Sequence, residues 1–196
     1  MTGWLNRLAG RLADAARWAR GRADIPPGTT PFRYGRSATT FLWVITAVTA
    51  VETAIVELVV PWWWLRIALA VVGIGSLPLM AGMVADYRIR PHLLGDRTLL
   101  LRCGQAIEAE VPLSAIESIA RTLGTAPRRP GIVGSTLELG VGTTDIVIAL
   151  RTPQVIGEDP DTAEMISHIR CSADDPAGLV TRVHAARQAL SPRPTS

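Results

Sequence analysis

Residues 38–60, ATTFLWVITAVTAVETAIVELVV, and residues 62–85, WWWLRIALAVVGIGSLPLMAGMVA, flank a single proline at position 61. Between residues 38 and 85 the ionisable side chains are Glu52, Glu57 and Arg66. Each segment exceeds the roughly 20 apolar residues that a transmembrane helix needs. Neither repeats a polar face turn by turn, as a soluble amphipathic helix would. The pattern predicts a membrane hairpin with spans at 38–60 and 62–85. Pro61 cannot continue the first helix but suits the start of the second, so the connection is tight. The apolar run is too long, and begins too late, for the core of a secretory signal peptide.

The flanks orient this hairpin. Trp62, Trp63 and Trp64 stand at its tip, and indole rings favour the membrane–water interface. Residues 1–36 carry seven arginines against Asp14 and Asp24, and Arg88, Arg90 and Arg97 follow the second span. The positive-inside rule then places both termini in the cytoplasm, as in a multi-pass plasma-membrane protein. Cys103 and Cys171 are accordingly expected as reduced thiols.

Outside the hairpin, residues 1–24 suit an amphipathic helix. Trp4, Leu5, Leu8 and Leu12 share one face, and Arg7, Arg11 and Arg17 take the other. Such a helix fits a membrane surface or the protein's own soluble domain. Residues 25–37, with Pro26, Pro27 and Pro31, read as a stiff linker. From residue 86 to 190 short strands dominate: Leu99 to Cys103, Ala106 to Val111, Ile116 to Leu123, Thr136 to Val141, Asp145 to Leu150 and Met165 to Cys171. An aspartate cap and Pro176 then open a helix that runs to about Leu190, and residues 191–196 form a tail. The fold class is a two-helix membrane hairpin plus an α+β cytoplasmic domain, an antiparallel roll with a C-terminal helix.

Four segments, Arg90-Pro91-His92, Leu99 to Gly104, Val111 to Ile119 and Asp174 to Val183, resemble the bacterial pleckstrin-homology-like (PH-like) domain. Together with the Glu52/Glu57 span they resemble two-span actinobacterial membrane proteins that carry such a domain. The resemblance covers about residues 38–190. It implies the fold, a membrane anchor and a cytoplasmic location, and it implies no catalytic residues.

Chemistry-bearing residues are sparse. Counted from the centre of its span, Glu57 lies about 12 Å out, and Arg66 about 11 Å out on the same side of the bilayer. Matching depth predicts an intramembrane ion pair, because an unpaired charge there is costly. Glu52 lies about 4–5 Å past the midplane and about 140° round the helix from Glu57, so one partner cannot easily serve both. It is expected either to contact another chain or to be protonated and hydrogen-bonded to Thr46, Thr49 or Ser76. Gly73, Gly75, Ser76, Ala81 and Gly82 give the second span a small-residue face, suited to packing on the first span or to homo-oligomerisation.

Arg128 and Arg129, between Pro127 and Pro130, form an exposed knuckle that would either meet lipid headgroups or stay solvated. His92, His168 and His184 lie far apart, and no nucleophile elbow, P-loop or metal-ligand spacing occurs. No cofactor or metal is expected. A net charge of +3 is too small and too dispersed to argue for nucleic acid. The expectation is a non-enzymatic membrane protein whose soluble domain docks a protein partner, through its strand edges or the groove beside its last helix. The alternative is an accessory subunit of a transporter or envelope complex, recruited through the hairpin.

Overall fold

A computed structural model of the chain describes residues 10, 13, 16–17, 20–21, 24–105, 107–127, 129–140, 142–156 and 164–190, without the side chains of 37, 38, 57, 77–79, 156 and 164. The expected amphipathic helix at 1–24 falls almost entirely outside these residues, and the 191–196 tail does so completely. The chain divides into two compact units. One holds the helical hairpin, and the other is formed by residues 24–37 together with 90–196.

In the first unit, α1 (Arg36–Val59) and α2 (Trp63–Ile89) have 24 and 27 residues. At 1.5 Å per residue they are about 36 and 40 Å long, enough for a hydrocarbon layer of about 30 Å. Both are long and apolar enough to cross a membrane. Val60, Pro61 and Trp62 form the connection. α2 continues past the expected end at Ala85, because no residue breaks it until Pro91 disfavours helical backbone at Arg90.

Half-buried positions recur on α1 at Leu42, Thr46, Thr49, Thr53 and Val56, and on α2 at Arg66, Ala70, Gly73, Ser76 and Met80. On α1 the spacing alternates four and three, the signature of a knobs-into-holes seam. The Thr46 hydroxyl lies 3.2 Å from Met80 Sδ. A Cβ added to Gly73 would come within 2.9 Å of Thr53 Oγ1. Seven residues up one helix therefore match seven residues down the other. Three hydroxyls in the seam bond to their own helix: Thr46 donates to Leu42 O, Thr53 to Thr49 O and Ser76 to Gly73 O, at 2.7–2.8 Å.

The second unit contains two sheets and a helix. Strands β1 (Thr30–Phe32), β2 (His92–Leu94), β3 (Thr98–Cys103) and β4 (Ile107–Pro112) form an antiparallel sheet in that order. Gly104, at φ 55°, opens the turn between β3 and β4. The other sheet contains β5 (Ile116–Thr125), β6 (Gly131–Val133), β7 (Thr136–Leu139), β8 (Thr143–Ile156) and β9 (Glu164–Cys171), in the order β5-β8-β9-β7-β6. Helix α3 (Pro176–Leu190) follows. Asp175 caps it by accepting the Gly178 N–H at 2.9 Å. The core draws on both sheets and α3: Leu99, Leu101, Val111, Leu137, Ile146, Ile148, Ile169, Leu179 and Val183 are all buried.

Two expectations are corrected here. Residues 25–37 are not merely a linker, because residues 30–32 supply β1, pairing Thr30 with Leu94 and Phe32 with His92. A three-residue edge strand accommodates Pro31, whose missing N–H would disrupt a central strand. The roll is also not wholly antiparallel. β7 and β9 pair in parallel, Leu137 opposite Ile169 and Leu139 opposite Cys171. β9 lies between β7 and β8 rather than letting them form a hairpin, and both β7 and β9 run against β8. Just after β7 the backbone approaches its neighbours closely at Gly140, where a Cβ would meet Thr144 Oγ1, Ala126 Cβ and Thr143 O within 2.7–2.8 Å.

Candidate functional site

On the hairpin, the tip tryptophans Trp62, Trp63 and Trp64 are all strongly exposed, Trp63 at 73%. Leu58 is 87% exposed and Val72 70%. Arg66 is half-buried on the inner stripe of α2. Its expected partner Glu57 has a side chain outside the described residues. Carrying the seam register seven residues further sets Val60 opposite Arg66, one turn from Glu57. Glu52 is exposed, and among the described residues nothing hydrogen-bonds or ion-pairs with its side chain. The hydroxyls of Thr46 and Ser76, two of its expected partners, donate to backbone carbonyls instead.

In the sheet unit, residues 24–37 form a strap held along its length. The Tyr34 ring stacks on His92 with centroids 4.3 Å apart, and Tyr34 Oη accepts the Gly104 N–H at 2.7 Å. Arg36 N–H donates to Asp174 Oδ1, and Asp174 N–H donates to Arg33 O, both at 2.9 Å. The buried Arg102 guanidinium reaches Asp24 at 3.2 Å and also Glu108. Arg182 sits 5.8 Å over the Phe32 ring.

His92 is completely buried. Its Nδ1 accepts the Arg102 N–H at 3.1 Å, so the proton belongs on Nε2, which donates to Ser172 O at 3.0 Å. Burial pulls its pKa down to about 4, outweighing the Ser172 bond that favours protonation, while Arg102 lowers it further. His92 is thus a neutral crosslink joining β2, β3 and the segment before α3. Cys171 is an inert thiol, pushed up to about 12 by burial and then by the Asp145 charge. Cys103 is likewise buried. Among the described residues no three His, Cys, Asp or Glu side chains are grouped to hold a metal ion.

A recessed polar feature of the sheet unit lies beside its last helix. A groove of about 460 Å³ is lined by Leu113, Ser114, Arg151, His184, Arg187, Gln188 and Leu190. His184, Arg187 and Gln188 share a face of α3 next to its buried stripe. Arg187 also donates to Glu117 O at 3.2 Å. Arg151 arrives from β8, where the β8–β9 register breaks between Ala149 and Gln154. Pro153 falls in that interval, and its missing N–H explains why the ladder is interrupted there. The lining offers hydrogen-bond donors and positive charge above an apolar floor, so it can hold an anionic or acceptor-rich segment.

The groove beside the last helix is an expected docking surface, but its lining residues are not named from sequence, because Arg151 and Arg187 lie in different elements and only folding joins them. The i, i+3 pair His184 and Arg187 was the one local signal. Arg128, of the basic knuckle, lies outside the described residues, and Arg129 is exposed. Compared with protein-family models, with curated proteins and with solved structures, the chain matches none.

Proposed function

We propose that this chain is a non-enzymatic integral membrane protein. Its hairpin crosses the bilayer, and it presents a PH-like domain at the cytoplasmic face to dock a protein partner. The observation that carries the reading is the exposure of large apolar side chains all along α1 and α2, including Val44, Val51, Leu58, Val71 and Ile74. A soluble surface does not tolerate a patch of that extent, whereas hydrocarbon does. The exposed tryptophans at the tip suit the bilayer interface, and the arginine excess before and after the hairpin favours cytoplasmic termini.

Two sheets closed by a C-terminal helix are compatible with the PH-like resemblance, although fold alone does not assign activity. The donor-lined groove beside α3 is the surface through which docking is proposed. Alkaline washing of membranes bearing the full chain tests the anchor, which predicts retention in the pellet. Reporter fusions at the C-terminus and at Pro61 test the orientation. Photo-crosslinking from Gln188 in native membranes tests docking: a discrete adduct should form and be lost with Arg151→Glu. An adduct indifferent to Arg151→Glu and to His184→Glu would reject the groove as the docking surface.

A further inference from the structure

Helix α1 carries a second stripe that is largely exposed among the described residues. Phe41, Ile45, Val48, Glu52, Ile55 and Val59 are spaced alternately four and three residues apart. This is the same 3.5-residue repeat as the intrachain seam, displaced about 100° round the helix from it. Ile45 is half-buried, while Phe41, Val48, Ile55 and Val59 are 47–71% exposed. Glu52 is the one polar member and stands near the middle. The four-then-three order sets Ile45, Glu52 and Val59 at one core position of a heptad and Phe41, Val48 and Ile55 at the other, and in a parallel pair each faces its own counterpart. A single polar residue at such a position fixes register and partner number.

We propose that this stripe is the interface of a parallel dimer of the chain, with the two Glu52 carboxyls facing each other inside the bilayer. The inference rests on the membrane reading above. A carboxyl about 4–5 Å from the midplane has no water to bond and cannot be satisfied by lipid. A second copy is the occupant whose chemistry matches by necessity. It inserts with the same topology, and a two-fold axis along the membrane normal brings each residue of the stripe to its own counterpart. The protonated O–H of one Glu52 then donates to a carboxyl oxygen of the other. The flanking valine, isoleucine and phenylalanine side chains interdigitate above and below. A different protein would need the same repeat and a hydrogen-bonding group at the same depth.

The test is cysteine crosslinking of the full-length protein in its own membranes, at Val48→Cys and Ile55→Cys on the stripe and at Ala47→Cys and Leu58→Cys off it. Oxidation should give a disulfide dimer selectively at the two stripe positions. Glu52→Gln, whose amides can pair with each other, should retain the dimer. Glu52→Val should weaken association about tenfold, the worth of one intramembrane hydrogen bond, because added apolar surface drives nothing in lipid. Equal crosslinking at all four positions, or a product with the mass of another protein, would overturn the proposal. So would absence of dimer in a protein that resists alkaline washing. Release by alkaline washing would instead overturn the membrane reading and this inference with it.

Discussion

The hairpin and the sheet unit are built from the same aliphatic residues put to opposite use. Ile148 and Ile169 are completely buried in the sheet unit, whereas Ile55 and Ile74 are more than half exposed on the hairpin. The two units differ in how the backbone is satisfied. A helix pairs all its interior N–H and C=O groups within itself, so it can face hydrocarbon alone. A strand depends on neighbours, and its apolar face needs another layer. The same sequence chemistry therefore gives a unit that turns its apolar surface outward and a unit that turns it inward.

Paired truncations sharpen this contrast most. Ile148→Ala should cost the sheet unit about 2–5 kcal/mol, the usual range for emptying a buried site. Ile55→Ala should leave the sheet unit's unfolding midpoint unchanged. Denaturant unfolding of the full chain in detergent, followed by the exposure of Cys171 to a thiol reagent, reads both. A comparable loss from the two variants would dissolve the distinction.

Charge on the outward face of the hairpin comes next. Val51→Arg should impair insertion by about 2.5–3.5 kcal/mol, visible as loss from the alkaline-resistant fraction. Arg substituted for the exposed Thr152 on the sheet unit should change nothing in the same assay.

The third effect depends on pH and belongs to the sheet unit alone. His92 titrates near 6.5 when unfolded and is lowered to about 4 when folded. Protons therefore bind the unfolded chain more readily between these values, so stability is complete above pH 6.5 and falls as the pH drops toward 4. At pH 5 the loss should be about 2 kcal/mol relative to pH 7.5. His92→Gln should flatten that dependence, as measured by midpoints at the two pH values. An unchanged slope would show that His92 is not the titrating crosslink.

The smallest effect probes the hairpin's own seam. Gly73→Ala forces a methyl to within 2.9 Å of Thr53 Oγ1, whose hydroxyl is committed to Thr49 O. Turning it away sacrifices a hydrogen bond worth about 1 kcal/mol. Gly75→Ala meets nothing within 4 Å and should be neutral. Detergent-resistant helicity of the two variants distinguishes them, and equal behaviour would reject the register drawn through Thr46 and Met80.

The sequence by itself determined what is local. Two apolar helices divided by Pro61, the β3–β4 turn at Gly104 and the Asp175 cap of α3 depend on near neighbours, on torsional preference and on hydropathy, all of which a linear pattern carries. Only the tertiary structure decided the rest. Residues 24–37 join the sheet unit because His92 and Gly104, far along the chain, offer Tyr34 a stacking face and an N–H. The parallel step exists because β9 lies between β7 and β8, a choice among strand pairings that satisfy the same alternating pattern. The groove assembles Arg151 with Arg187 from elements that meet only through the packed core. Pairing and packing between distant segments are settled by the whole buried surface at once, and no short stretch of residues records that outcome.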